Sequence, residues 1–166
     1  METEAESDYP TLFRREYPSV LRDVTMVMGD REAARDVTQE AFARLYANWR
    51  KVSRYERPGA WVRRVAIREA VKGKRRHARA EASAHLVSLP GGSSYTPSVR
   101  DHELTAAIAT LPPMQRAAVV LHYIHDLPVR EVADMIGCRE ATANVHLHRA
   151  RKRLAELLGE EAEDVA

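Results

Sequence analysis

Apolar residues recur at steps of three and four along most of the chain, the spacing that places them on one face of an α-helix. The first apolar stripe covers residues 12–28, and Gly29 and Asp30 interrupt it. A second stripe covers residues 34–49, and a third begins at Trp61 after a loop. No segment shows the alternation of apolar and polar residues that is typical of a strand. The pattern predicts an all-α protein.

The helical pattern stops in the middle of the chain. Residues 89–98 are rich in Gly, Pro and Ser and have no helical period. We interpret residues 81–102 as a flexible linker. The chain then divides into two small helical domains, the first at residues 9–80 and the second at residues 103–159.

The clearest motif is a pair of helices in the second domain. Pro128 suits the first turn of a helix, and Gly137 can take the left-handed backbone that ends one. A second helix follows at once, and its apolar stripe consists of Ala143, Leu147, Ala150, Leu154 and Leu157. This layout predicts a helix-turn-helix, whose second helix can enter the major groove of DNA.

The outer face of that second helix is polar and basic. Asn can read adenine, and Arg can read guanine or hold a phosphate. The residues that we assign to this DNA-binding face are Arg139, Glu140, Thr142, Asn144, His146, His148, Arg149, Arg151 and Lys152. The alternative is an ordinary helical hairpin with a solvated basic face. The coincidence of helix, glycine and basic helix at this spacing favours DNA binding.

The first domain contains another basic segment. Eight Lys and Arg residues lie between Arg63 and Arg79, and Glu69 is the only acid among them. Such a density of charge on one helix usually meets a polyanion. Just before it, Tyr55 and Trp61 lie beside basic residues, an arrangement that suits the stacking of unpaired bases. Trp61 also fits a core position, so Tyr55 is the better stacking candidate.

Asp36, Gln39 and Glu40 share one face of the second predicted helix, because they are spaced at i, i+3 and i+4. Two acids and an amide on one face can serve solubility alone. Paired carboxylates also occur in glycosidases, but neither acid is predicted to lie in a cleft. The residues themselves leave the role of this face open.

Composition bounds the remaining classes of function. Of the 166 residues, 45% are hydrophobic, which is enough for a packed core, and the net charge of +2 says little about partners. The single cysteine, Cys138, excludes an intrachain disulfide and fits a reducing cytoplasm. The chain has no signal pattern and no apolar run near the roughly 20 residues of a membrane span, so we expect no membrane insertion.

Four histidines raise the question of zinc. His122, His125, His146 and His148 lie in the same domain as Cys138, but no pair of them has the spacing of a zinc finger or a metalloprotease. His beside Arg on a recognition helix is more simply a contact to DNA. We therefore expect neither a metal nor another cofactor.

Several motifs together resemble those of extracytoplasmic-function sigma factors. Residues 36–42 (DVTQEAF) resemble their acid-x-x-Gln-Glu-x-Phe signature, and residues 60–66 (AWVRRVA) resemble their Trp-Leu-x-x-Ile-Ala segment. Residues 111–116 (LPPMQR), 126–127 (DL) and 148–151 (HRAR) are similar to landmarks of their second domain. The motifs occur in the family's order and spacing, and the similarity extends over nearly the whole chain.

The resemblance implies a promoter-specificity subunit of bacterial RNA polymerase, whose partners are the polymerase core and promoter DNA. The face of Asp36, Gln39 and Glu40 then binds the clamp helices of the largest catalytic subunit. The linker threads toward the polymerase active site, and the recognition helix reads the minus-thirty-five element. Sigma factors of this kind are commonly held by an anti-sigma protein, which is a further expected partner.

The resemblance also assigns the minus-ten element to the first domain. The loop at residues 54–60 receives a flipped base, and the helix at residues 61–76 contacts the melting strand. The residues that we assign to these contacts are Arg54, Tyr55, Glu56, Trp61, Arg64, Arg68, Lys72, Arg75 and Arg76.

The chain departs from the family pattern at several positions. The family often has Asn where Arg68 stands, and Asp or Asn where Lys72 stands. Gly73 is expected to interrupt its helix, at a cost of about 1 kcal/mol relative to Ala. Arg139 occupies the position of the usual Ser or Thr cap, so a recognition helix that begins one residue off the usual register is expected. Ala143 and Asn144 replace the common Val-Lys, so the preferred promoter sequence does not transfer.

Two other classes of function compete with this hypothesis. The first is a free-standing helix-turn-helix regulator that binds DNA without polymerase. Such a regulator has no need for the face of Asp36, Gln39 and Glu40 or for a basic and aromatic surface that binds single strands. The second is a metal-dependent nuclease, which lacks support because the sequence offers no nucleophile–base set and no clustered metal ligands.

Overall fold

The structure is a computed structural model that describes residues 3–77 and 99–159, with side-chain surroundings for residues 8–73 and 102–159. The first domain contains α1 (Thr3–Met28), α2 (Arg31–Ala47), α3 (Trp49–Val52) and α4 (Pro58–His77). The second contains α5 (Val99–Ala109), α6 (Pro113–Val119), a π-helical turn (Val120–Ile124), α7 (Val129–Ile136) and α8 (Glu140–Leu158). The prediction of an all-α fold with a carboxy-terminal helix-turn-helix is confirmed. Most of the predicted linker lies outside the described residues, and α5 begins within its last residues.

Local sequence signals set the first helix boundary. Gly29 has a φ of +70°, a left-handed conformation that ends α1 at the predicted position. Asp30 then caps α2, because its carboxylate accepts hydrogen bonds from the backbone N–H groups of Glu32 at 3.0 Å and Ala33 at 3.3 Å. The predicted interruption at Gly29 and Asp30 is therefore confirmed.

The core of the first domain lies between α1, α2 and α4. Phe42, Leu45 and Ile67 are fully buried there, and aromatic rings from α1 pack around Phe42. The Tyr9 hydroxyl donates a hydrogen bond of 3.0 Å to the Phe42 carbonyl, and burial raises the pKa of Tyr9. This packing fixes the orientation of α2, so that one face of the helix is buried and the other is exposed to solvent.

Two expectations about helix ends are wrong. Helix α4 continues through Gly73 to His77. The neighbouring Ala70 and Val71 are buried in the core, and this packing outweighs a helix cost of about 1 kcal/mol. Helix α8 begins at Glu140, directly after Arg139, which is the N-cap residue with an extended backbone and no side-chain cap. The expected shift in register is therefore absent.

The apolar stripes also differ from the prediction at their ends. Leu154 packs against the cluster of Ile108 and Leu111, whereas Leu157 in the last turn of α8 is 43% exposed. Tyr46, in the last turn of α2, is 63% exposed despite its position in the second stripe. Both residues keep the helical spacing, but neighbouring helices cover them only in part; the Tyr46 ring contacts the Tyr9 ring of α1 edge to face.

The two domains share one hydrophobic core across the described residues. Helices α6 and α7 pack against α1 and α4. Val132 and Ile136 of α7 and Leu121 of the π-helical turn belong to the same buried cluster as Val24 and Ile67. The second domain therefore covers part of the first.

A buried ionic cluster reinforces this packing. The Asp23 side chain on α1 is only 3% exposed, and Arg63 Nε of α4 donates to its Oδ2 at 3.0 Å. Arg63 also donates to Ser19 Oγ at 3.0 Å and lies 3.6 Å from Glu16 Oε2. From the second domain, His125 Nε2 lies 2.6 Å from Asp23 Oδ2. One carboxylate thus connects two helices and both domains.

We predict that Asp23→Ala destabilises the folded state by about 3 kcal/mol, because it leaves the mostly buried Arg63 guanidinium without its main counter-charge. Urea unfolding followed by circular dichroism measures the change. Asp36→Ala removes an exposed acid from α2 and serves as the control, with an expected change within about 0.5 kcal/mol. Equal stabilities of the two variants would contradict the proposed role of Asp23.

Candidate nucleic-acid interface

The recognition helix α8 has one buried and one exposed face. Ala143, Leu147 and Ala150 are buried against the rest of the second domain. His146 is half-buried. The remaining predicted DNA-binding residues are exposed, namely Arg139, Glu140, Thr142, Asn144, His148, Arg149, Arg151 and Lys152. The helix thus presents donors and acceptors on a surface that fits a major groove.

The turn before α8 depends on Gly137 and the residue after it. Gly137 has a φ of +75°, which ends α7, and the Cys138 N–H donates to the Ala133 carbonyl at 3.0 Å. Cys138 is partly buried in this turn, and burial raises the pKa of its thiol. The neutral thiol is a weak nucleophile at physiological pH, so the residue suits packing rather than reactivity.

Tyr123 is a contact of the recognition helix that the sequence did not reveal. Arg151 Nη1 donates to the Tyr123 hydroxyl at 3.2 Å, and the Tyr123 ring is exposed. Tyr123 lies in the π-helical turn, where the wider turn changes which residues share a face. A regular spacing of 3.6 residues per turn therefore does not reveal the contact between Tyr123 and α8.

Helix α4 holds the predicted minus-ten residues in different surroundings. Lys72 is exposed, and Trp61 is half-buried against the core. Arg64 forms an ion pair with Asp134 of α7. Arg68 donates from Nη2 to the Asp134 carbonyl at 2.6 Å and from Nε to the Met135 carbonyl at 3.3 Å. The side chains of Arg75 and Arg76 lie outside the described residues.

More of the positive charges in the basic segment are paired with acids than its sequence suggests. Glu69 is the only acid within the segment, but other helices supply more: Asp23 and Glu16 pair with Arg63, and Asp134 pairs with Arg64. These pairs were not predicted because the partners lie tens of residues away in the sequence and share no motif. Arg63 is a structural residue, and Arg64 and Arg68 face α7.

The loop between α3 and α4 is open to solvent. Arg54, Tyr55 and Glu56 are all exposed there, with Tyr55 at 42%. The Tyr55 N–H donates to the Val52 carbonyl at 3.0 Å, which ties the loop to the end of α3. The Tyr55 ring is thus accessible for stacking on a base, while the hydrogen bond fixes the backbone of the residue.

The polar face of α2 is exposed as well. Asp36, Gln39 and Glu40 point away from the core, and Thr38 on the opposite side is buried. Glu40 Oε1 lies 3.4 Å from Arg44 Nε, and Arg44 Nη1 lies 3.4 Å from Glu69 Oε1. This chain of exposed charges joins α2 to α4 without occupying Asp36 or Gln39.

Two histidines of the second domain have partners other than a metal. His122 Nδ1–H donates to the Leu127 carbonyl at 2.8 Å, and His125 lies beside Asp23. Among the residues that the structure describes, no three His, Cys, Asp or Glu side chains are grouped as metal ligands. In the same part of the chain, no helix has the length and apolarity required to cross a membrane.

Comparisons with known proteins agree on one family. Residues 12–80 match the model of sigma-70 region 2, and residues 101–154 match that of sigma-70 region 4. The chain is 30% identical over 171 residues to the RNA polymerase sigma factor CarQ of Myxococcus xanthus, covering 98% of this chain and 95% of that protein. It is 29% identical over 170 residues to the ECF RNA polymerase sigma factor SigE of Mycolicibacterium smegmatis. That match covers 93% of this chain but only 63% of SigE.

A solved structure shows the same fold. The sigma factor RpoE of Bartonella quintana, crystallised with the anti-sigma factor NepR, aligns with a TM-score of 0.73 at 19% identity. The alignment covers 92% of this chain and 97% of that one. At this identity the likeness concerns the fold alone.

The chain therefore belongs to the extracytoplasmic-function sigma factors, with a sigma-70 region 2 followed by a region 4. Sigma factors direct the RNA polymerase core to promoters and are not themselves enzymes. The family predicted from the motifs is confirmed. Family membership also removes the nuclease and the free-standing regulator as leading hypotheses.

Proposed function

We propose that this sigma factor acts through three separate surfaces. The α2 face (Asp36, Gln39 and Glu40) binds the polymerase core. The minus-ten surface holds the melted strand and consists of Arg54, Tyr55, Glu56, Trp61, Arg64, Arg68, Lys72, Arg75 and Arg76. The α8 face reads the minus-thirty-five duplex with Arg139, Glu140, Thr142, Asn144, His146, His148, Arg149, Arg151 and Lys152.

The observation that carries the proposal is the two-sided build of α8. Its buried side consists of small and apolar residues, so the helix is anchored firmly. Its outer side offers an amide, a hydroxyl and several cations, the groups that distinguish base pairs and hold phosphates. The exposed Tyr55 ring supports the assignment of the minus-ten surface. The exposed side chains of the α2 face support its assignment to core binding.

The proposal includes the arrangement and the partners of the whole chain. The core-binding and minus-ten domain covers residues 9–80, a flexible linker covers 81–102, and the minus-thirty-five domain covers 103–159. An anti-sigma protein holds the chain away from polymerase; the Bartonella quintana sigma factor RpoE was crystallised in complex with an anti-sigma factor, NepR, which supports a partner of this kind. All these partners meet in the cytoplasm.

The experiment that tests the proposal is run-off transcription with purified core polymerase across a promoter library. We expect defined transcripts from a subset of promoters only when the chain and core are both present. A library that yields no promoter-dependent transcript, while the chain alone binds particular duplexes, would support a free-standing regulator instead.

The α2 face gives a first specific prediction. Changing Asp36, Gln39 and Glu40 together to Ala weakens core binding by at least about tenfold, because exposed contacts are lost without loss of packing. Competition for core polymerase measures the effect, and circular dichroism confirms intact helicity. A control variant with Glu103→Ala and Glu131→Ala removes two exposed acids from the second domain and keeps normal affinity. Full competition by the triple variant would refute the assignment.

The α8 face gives a second prediction. Asn144→Ala relaxes the preference at one base position by roughly 1–3 kcal/mol, since a bidentate amide contact is lost. Arg149→Ala instead weakens all sequences alike and lowers the salt slope of binding by about 0.9, since one phosphate contact is lost. Binding of the sigma–core complex to a set of minus-thirty-five variants at several salt concentrations separates the two. Uniform loss for Asn144→Ala would contradict base reading.

The loop gives a third prediction. Tyr55→Ala leaves core binding and the closed complex nearly normal but reduces the open complex, because a stacked ring contributes roughly 1–3 kcal/mol per base. Tyr55→Phe keeps the ring and is the matched control, with a normal open complex. Permanganate reactivity of unpaired thymines beside a gel-shift assay measures both steps. Normal reactivity in Tyr55→Ala would mean that other residues trap the strand.

A further inference from the structure

We infer that Val145 of the recognition helix reads a thymine methyl group in the minus-thirty-five duplex. The inference rests on the proposed function of the α8 face, to which it adds a residue that selects one base. Thymine is the DNA base that presents a C5-methyl group in the major groove, and apolar side chains are the partners of that group. The ligand is therefore a T·A base pair at one position of the element.

The Val145 side chain is 44% exposed in the first half of α8. It belongs to neither of the buried clusters that the structure describes, so packing does not account for it. Helix formation does not account for it either, because a β-branched residue forms a helix less readily than Ala, Lys or Arg. Single exposed apolar residues are common on protein surfaces, so the position on the helix decides the meaning of this one.

Val145 lies at the centre of the outer face of α8. The buried side of the helix consists of Ala143, Leu147 and Ala150. Successive helical residues are separated by about 100°, so Val145 lies roughly opposite that side. Ala141, one turn earlier, is exposed as well, and its small side chain lets the helix approach the base edges closely. A helix that enters the major groove with this face turns Val145 toward the bases.

The residues around Val145 are those of a surface that binds nucleic acid. Arg149 and Lys152 follow it at i+4 and i+7 on the same face, and both are exposed. Thr142 and His148 flank it at i−3 and i+3 and are exposed too. An apolar centre beside cations matches the major groove, where thymine methyl groups lie between two negatively charged backbones. The charge around Val145 therefore favours DNA over an apolar protein partner.

Replacing thymine by deoxyuridine tests the inference, because deoxyuridine keeps the base pair and lacks only the C5-methyl group. The probes are promoter duplexes selected by run-off transcription, in which each thymine of the minus-thirty-five element, on either strand, is replaced singly. Binding of the complex between the full chain and core polymerase is measured for the native chain and for Val145→Ala. Leu157→Ala removes another exposed apolar side chain, in the last turn of α8, and is the matched control.

We expect one thymine whose replacement weakens binding by the native chain about threefold to fivefold, the effect of one methyl group removed from water. Val145→Ala binds the unmodified duplex more weakly by at least about the same factor and loses its sensitivity to that replacement. Leu157→Ala keeps both the affinity and the sensitivity. Equal sensitivity in Val145→Ala would overturn the inference, since another residue would then read the methyl group. A native complex that tolerates every replacement would overturn it as well.

A second pair of variants separates the methyl contact from other effects of the substitution. Val145→Thr keeps one methyl group and Val145→Ser does not, while both introduce the same hydroxyl group. We expect Val145→Thr to retain the sensitivity to deoxyuridine and Val145→Ser to lose it, and circular dichroism checks that both stay helical. The same response in both variants overturns the methyl contact.

The outcomes also distinguish the inference from the proposed function on which it rests. A complex that selects among duplex sequences but is insensitive to deoxyuridine refutes the reading of a methyl group and leaves the α8 face as the duplex reader. A complex that binds every minus-thirty-five variant equally refutes the proposed function of α8, and the inference with it.

Discussion

The buried carboxylate of Asp23 is the constraint on which much of this structure depends. It accepts from Arg63 of α4 and lies beside His125 of the second domain, so one charge fixes two helices and the domain interface. A buried carboxylate is costly without such partners, and Arg63 lies farther from its second counter-charge, Glu16, at 3.6 Å. The orientation of α4, and with it the direction in which the neighbouring arginines point, follows from this cluster.

Adjacent arginines on α4 consequently have different roles. Arg63 points inward to Asp23 and Ser19, whereas Arg64 points toward α7. Successive helical residues are separated by about 100°, so a basic run on a helix necessarily distributes its charges over several faces. A count of basic residues therefore overstates the charge that a strand meets.

Local signals made much of the fold predictable. A glycine with a positive φ ends a helix, and an Asp or a Pro marks the start of the next, which is why the boundaries at Gly29, Asp30 and Gly137 were found. The predictions were wrong or incomplete where contacts between residues distant in the sequence determine the structure. Gly73 stays helical because its neighbours are buried, and Asp134 reaches Arg64 across 70 residues of sequence. Residue types on α8 indicated a DNA-binding face, but the promoter sequence depends on base contacts that a side-chain list does not specify.

Domain packing links the stability of the chain to the surroundings of its basic helix α4. The apolar residues Val132, Met135 and Ile136 of α7 are buried in the core that α1, α2 and α4 share. Burial of apolar surface is favourable, so the packing of the two domains adds to the stability of the chain. The same packing places Asp134 of α7 beside Arg64, so its carboxylate offsets part of the positive charge of α4. One helix therefore contributes both to the core that the two domains share and to the charge of the neighbouring α4 surface.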